Sequence, residues 1–228
     1  MPGYYLHLAA CGGKLLENRS FVLGVEAPDI LKKHLKDANG DIEKARAKYN
    51  SLRTGDMPDY SDFEVRVQQK ESRGKLEGMH YGKSSSTNFR AFWNGLSEAQ
   101  KNTAFYRGYA WHLLTDAIMY AKLNIDARFA KILGDQLYDE ELRWKEVEKL
   151  HLDWDKTNTL VKTTYPEVTL TPEVEELNVV GFETGELVYV DWSILKETID
   201  FLRTFDPLNG DMNSIIEEIS SICLTMKM

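Results

Sequence analysis

Phe105-Tyr-Arg-Gly-Tyr-Ala-Trp-His-Leu-Leu-Thr-Asp-Ala-Ile-Met-Tyr-Ala-Lys-Leu123 decides how this chain is read. The stretch is long enough for five helical turns and apolar almost all round, so it predicts a central, buried helix. His112 and Asp116 interrupt its middle. Positions four apart stack on one face of a helix, so the two project together, and Phe105, Gly108 and Met119 or Tyr120 continue the same stripe. Gly108 leaves room one turn before His112. A buried carboxylate without a partner costs several kcal/mol, so this pair must be satisfied. Two solutions fit the local pattern equally: a core histidine and carboxylate bonded to each other or to backbone, or a divalent cation held by both.

Further ligands are available outside this helix. His7, Asp29 and His80 all lie in short helix-start or loop contexts from which they can reach a central helix. Each has an ordinary alternative: His7 as a packed N-terminal histidine, Asp29 as a partner of a helix dipole, His80 as a loop residue. Imidazole nitrogen and carboxylate oxygen without thiolate make the kind of zinc site that keeps positions open for water. His34, among Lys32, Lys33 and Lys36, reads as a surface residue.

Away from the centre, a first helix is expected from about Tyr4 to Leu16, weakened at its end by Gly12 and Gly13. The run from Phe21 to Asp29 reads as an extended approach to Pro28, with a second helix beginning there. Asp41 to Leu52 should be a solvated helix, and Thr54 to Asp62 a loop. Asn88 to Trp93 and Ser97 to Ala104 read as helix broken near Gly95, and a long charged helix is expected from about Gln136 to Val161. Pro166 and Pro172 mark a linker. Two short apolar runs flank Glu183-Thr-Gly185 and predict a hairpin, after which Asp191, and then Asp211 or Asn213, cap two last helices. The expected fold is all-α, mainly helical, with a small β-hairpin near the C-terminus. Residues 1–165 would form the helical metal-binding core, and residues 166–228 would pack on it as part of one domain.

Composition limits the function. A chain of 228 residues with 43% hydrophobic content can bury a sizeable core. A formal charge of -8 argues against nonspecific binding to nucleic acid or anionic lipid. No apolar run approaches the roughly 20 residues of a membrane-spanning helix, and the N-terminus does not read as a secretory signal. Cys11 and Cys223 stand at opposite ends of the chain, which fits a reducing compartment. A cytoplasmic protein is the expectation.

Met1-Pro-Gly-Tyr-Tyr-Leu-His7, Phe21-Val-Leu-Gly-Val-Glu-Ala-Pro-Asp29, Gly78-Met-His80 and Gly108-Tyr-Ala-Trp-His-Leu-Leu-Thr-Asp116 together resemble the zinc-dependent phospholipase C family and, more broadly, its relatives among zinc-dependent single-strand nucleases. The resemblance covers roughly the first 160 residues. It implies a compact helical domain whose cleft holds clustered zinc ions. By motif position, His7, Asp29, His80, His112 and Asp116 would be the ligands, with Asp116 bridging two ions and Asp29 also accepting a proton from the attacking water. Tyr81 and Trp111, next to proposed ligands, would line a pocket for a phosphoester substrate. The chain departs from the family in having no N-terminal Trp ligand, and in offering only His151 after His112 toward a third zinc. His151 and Asp153 are the possible additional ligands, so two zinc ions are expected.

The implied activity is phosphoester hydrolysis by metal-activated water. Two other readings remain. A cytoplasmic binding or scaffold protein could retain the site for structure, as the missing downstream histidines suggest. A di-iron carboxylate bundle would instead use Glu77-x-x-His80 and Glu148-x-x-His151, but Gly74 and Gly78 disfavour a long helix there, and the architecture gives His112 and Asp116 no role.

Overall fold

The site is built where two helices cross at glycine. In the computed structural model, which describes residues 3–37, 41–52, 88–175, 177 and 180–226, helices α1 (Tyr4–Ala9), α2 (Gly13–Leu16), α3 (Arg19–Asp37) and α4 (Ile42–Leu52) form the N-terminal part. They are followed by α5 (Phe89–Asn94), α6 (Glu98–Lys101), α7 (Ala104–Leu123), α8 (Ile125–Leu133), α9 (Glu140–Thr164), α10 (Pro172–Glu175), α11 (Trp192–Leu202) and α12 (Met212–Thr225).

Helix α7 is the expected central one. Thr103 caps its start, Asn124 ends it in the left-handed conformation, and most of its residues are buried. Its principal partner is α3. A methyl group on Gly24 would overlap the carbonyl of Phe105, and one on Gly108 would overlap the carbonyl of Phe21. Only glycine at both positions lets the two backbones approach this closely.

The first helix is two helices. Gly12, at φ +70°, turns the chain between α1 and α2. Helix α3 corrects a second expectation: the run before Pro28 is helical, not extended, and Pro28 lies inside the helix. Asn18 supplies the start, its side chain accepting from the Phe21 N–H at 3.0 Å. An interior proline costs about 3 kcal/mol. Here Phe21, Val22, Leu23, Val25 and Ile30 are all buried around it, and side chains of that size contribute about 1.5–3 kcal/mol each, so packing outweighs the local penalty.

The expected hairpin is not seen: the described residues contain no strand, and Asn178 and Val179 of its first arm lie outside them. Residues 181 and 188–190 are held by α9. Asp153 accepts from the N–H groups of Val188, Tyr189 and Val190 at 2.7, 2.6 and 3.2 Å, while Asn158 donates to the Gly181 carbonyl at 3.0 Å. Those groups are the donors and acceptors a ladder would have used. Helix α9 itself starts at Asp139, whose side chain caps it, and runs to Thr164.

One contiguous core draws on residues from α1 through α12. Asp191 and Asp211 cap α11 and α12, and Trp93 donates to Asn213 at 2.9 Å, joining α5 to α12. The described helices include none long and apolar enough to cross a membrane.

Candidate metal centre

Four buried side chains from three helices converge beside the α3–α7 crossing. Helix α1 contributes His7, α3 contributes Asp29, and α7 contributes His112 and Asp116. One donor atom from each of His7, Asp29 and His112 lies within 4.8 Å of the others. The two imidazoles stack with centroids 3.8 Å apart and planes 20° from parallel. Asp116 presents one oxygen to each ring, Oδ1 at 3.5 Å from His7 Nε2 and Oδ2 at 3.7 Å from His112 Nε2.

These last two separations exceed those of a direct N–H···O bond, which clusters near 2.9 Å. They are close to the spacing of donor atoms around a shared cation: zinc bonds of about 2.0–2.1 Å in tetrahedral geometry put neighbouring ligand atoms about 3.3 Å apart. The donor set also suits zinc, with two imidazoles and two carboxylates.

His112 is oriented by the backbone. Its Nδ1 lies 2.7 Å from the Val25 carbonyl oxygen. A carbonyl only accepts, so Nδ1 carries the hydrogen, and in the neutral ring the Nε2 lone pair faces Asp116. Histidines that ligate metals are typically held in this way by their second nitrogen. Gly24 and Gly108 make this contact possible by bringing α3 within reach. His7 is tied locally, since the Cys11 thiol donates to its carbonyl at 3.2 Å.

The remaining expected residues divide. His80 and Tyr81 lie outside the described residues. His151 is exposed on α9 and interacts electrostatically with Asp155. Asp153 is fully buried, but its carboxylate holds the 188–190 amides and lies 3.3 Å from Lys156 Nζ, so it anchors a loop. Trp111 is completely buried and meets Phe205 edge-on at 6.2 Å, in the core. Glu148, the di-iron partner of His151, is likewise exposed.

Three neighbours carry no functional signal in the sequence. Tyr4, one turn before His7, packs against Ile30 and Val174. Tyr120, one turn after Asp116, meets Trp154 edge-on at 6.4 Å. Glu26, one turn before Asp29, is fully buried and accepts from the Thr171 hydroxyl at 2.5 Å and the Thr171 N–H at 3.3 Å. Burial pushes its carboxyl up to about 8, against the lowering effect of those bonds. Tyr120 was visible as part of the 108–112–116 stripe; nothing in the sequence pairs Glu26 with Thr171.

The chain matches no family model, no curated protein and no solved structure.

Proposed function

We propose that the chain is a metal-dependent phosphoester hydrolase that binds zinc through His7, Asp29, His112 and Asp116. The observation that carries this reading is the division of the Asp116 carboxylate between two stacked imidazoles, one of them held by the Val25 carbonyl. That arrangement would let one carboxylate serve both histidines in holding a cation.

Within it the residues have separate tasks. His112 keeps one orientation because Nδ1–H is committed to Val25. Asp116 neutralises positive charge from the centre of the site. Asp29, the most exposed of the four at 6%, is the carboxylate best placed to take a proton from an attacking water. When bound, zinc supplies Lewis-acid polarisation of the phosphoryl group and makes water acidic enough to attack near neutral pH.

The test is elemental analysis of protein purified without added metal, paired with a phosphodiester panel and His112→Ala. The reading expects zinc in the protein, turnover of at least one diester, and loss of both in the variant. A second reading, a binding or scaffold protein with a structural metal, is favoured by the near-complete burial of His7, His112 and Asp116 and by the commitment of Asp153 to the 188–190 loop. Zinc without turnover, with only stability lost in the variant, selects it.

A further inference from the structure

A small cavity opens on the side of α1 away from the metal centre. Tyr5 stands two residues before His7, and side chains two apart on a helix point to different faces. The cavity holds about 220 Å³, and Tyr5, Val174, Val180 and Phe182 give it apolar walls from α1, α10 and residues 180–182. Tyr5 and Phe182 meet edge-on, their ring centroids 5.4 Å apart. Phe182 is positioned through its neighbour: Asn158 donates to the Gly181 carbonyl at 3.0 Å, and a methyl group on Gly181 would overlap the Asp155 carboxylate. Both contacts are with α9, so the aromatic wall is set by the packing of the fold.

Two charged side chains border this cavity. Lys162 of α9 and Glu175 of α10 both line it, and both are exposed. The Lys162 ammonium lies over the Phe182 ring, 4.9 Å from its centroid. Among the described residues neither side chain is paired with an opposite charge. Other exposed lysines of α9 are paired: Lys145 with Glu141 and Lys149 with Glu146, each at 2.7 Å. An apolar hollow bordered by an unpaired cation and an unpaired anion is matched by a molecule with the reverse charges on an apolar body.

We propose that this cavity binds a free aromatic α-amino acid, with its ring against Tyr5, Val174 and Phe182, its carboxylate on Lys162 and its ammonium on Glu175. Size favours a single ring. An apolar cavity of roughly 150 Å³ takes up benzene, so this larger one, open to solvent, seats a ring and leaves the charged end at its rim. Aromatic walls favour an aromatic guest, because edge-on and offset ring contacts add to the area buried. A simple anion would meet Glu175 and a simple amine would meet Lys162, so each charge rejects ligands that carry only its own sign. The cavity uses none of the proposed metal ligands and stands apart from the hydrolase reading.

The experiment is calorimetric titration of the full chain with phenylalanine, with phenethylamine, which lacks the carboxylate, and with phenylpropanoate, which lacks the amine. Phenylalanine is expected to bind, and each analogue to bind about tenfold or more weakly, the loss of one charged contact. Lys162→Gln should weaken phenylalanine by a similar factor and leave phenethylamine no weaker. Glu175→Gln should weaken phenylalanine likewise and leave phenylpropanoate no weaker. Both side chains are exposed, so both variants should fold as wild type does, which circular dichroism checks. Wild type that does not bind phenylalanine at millimolar concentration overturns the proposal. So does an analogue that binds as tightly as phenylalanine, or unchanged phenylalanine affinity in either variant. None of these outcomes depends on zinc, so the metal reading is judged separately.

Discussion

Gly108 of α7 lies directly against the backbone of Phe21 in α3, with no space between them for a methyl group. In an exposed helix, replacing glycine by alanine stabilises by roughly 1 kcal/mol through backbone entropy. Here the added carbon meets a main-chain carbonyl that cannot rotate away, so the helices must separate. Overpacking of this kind costs about 1–3 kcal/mol, and the His112–Val25 contact is strained with it. Gly108→Ala should therefore lower stability by about 2 kcal/mol in chemical denaturation and weaken zinc binding. Gly13→Ala, at a glycine with open space around its α-carbon, should stay within about 0.5 kcal/mol of wild type. Equal behaviour of the two variants would show that the crossing is not close-packed.

Asp153 makes a different structural prediction. Its buried carboxylate gathers three consecutive amides and lies beside a lysine. Asp153→Ala leaves the three amides without that acceptor, while Lys156 still donates to the Glu186 carbonyl, and should cost about 3 kcal/mol. Hydrogen exchange should localise the damage, with faster exchange at Val188, Tyr189 and Val190 and little change in α7. If zinc content falls in the same proportion as that protection, Asp153 belongs to the metal centre after all.

The legible parts of the molecule are those fixed by neighbours along the chain. His112 and Asp116 stand out because a polar pair at i and i+4 on an apolar helix needs no tertiary knowledge to interpret. The Asp191 and Asp211 caps are equally local. Pro28 misleads for the same reason: its penalty is visible in the sequence, whereas the burial of Phe21, Val25 and Ile30 that outweighs it is not. The hairpin fails because its amides are taken by Asp153, some 35 residues earlier. The Val25 carbonyl that orients His112 has no side-chain signature at all, and Tyr4 looks like any apolar residue of a first helix.

Glu26 predicts a pH dependence. Its folded-state carboxyl is raised from an ordinary value of 4.5 to about 8, chiefly by burial and further by Glu173, with Thr171 and Arg19 acting the other way. Between those two values the folded protein holds a proton that the unfolded chain has released. Stability from this group is therefore full below about pH 4.5 and declines as pH rises toward 8. Glu26→Gln preserves a carbonyl acceptor for Thr171 and cannot ionise. The variant should show a flatter profile across this window and a higher melting temperature than wild type at pH 8.5. Parallel profiles for the two proteins would mean that Glu26 does not retain its proton in the fold.

Asp116 separates a metal ligand from an ordinary buried acid. A ligand that binds only the folded state at 100 times its dissociation constant stabilises by about 2.7 kcal/mol, which for a chain of this size raises the melting temperature by roughly 5–10 °C. Zinc should produce that rise in wild type, and chelator should abolish it. Asp116→Asn removes one of two carboxylates that crowd the site beside His7 and His112. In chelator, where that charge has no cation to offset its burial, the variant should be as stable as wild type or more so. In zinc the order should reverse, because the variant has lost the ligand shared by both histidines. The crossing of the two comparisons is the diagnostic result: a carboxylate serving only as a hydrogen-bonded core residue would cost the same stability in both buffers when replaced.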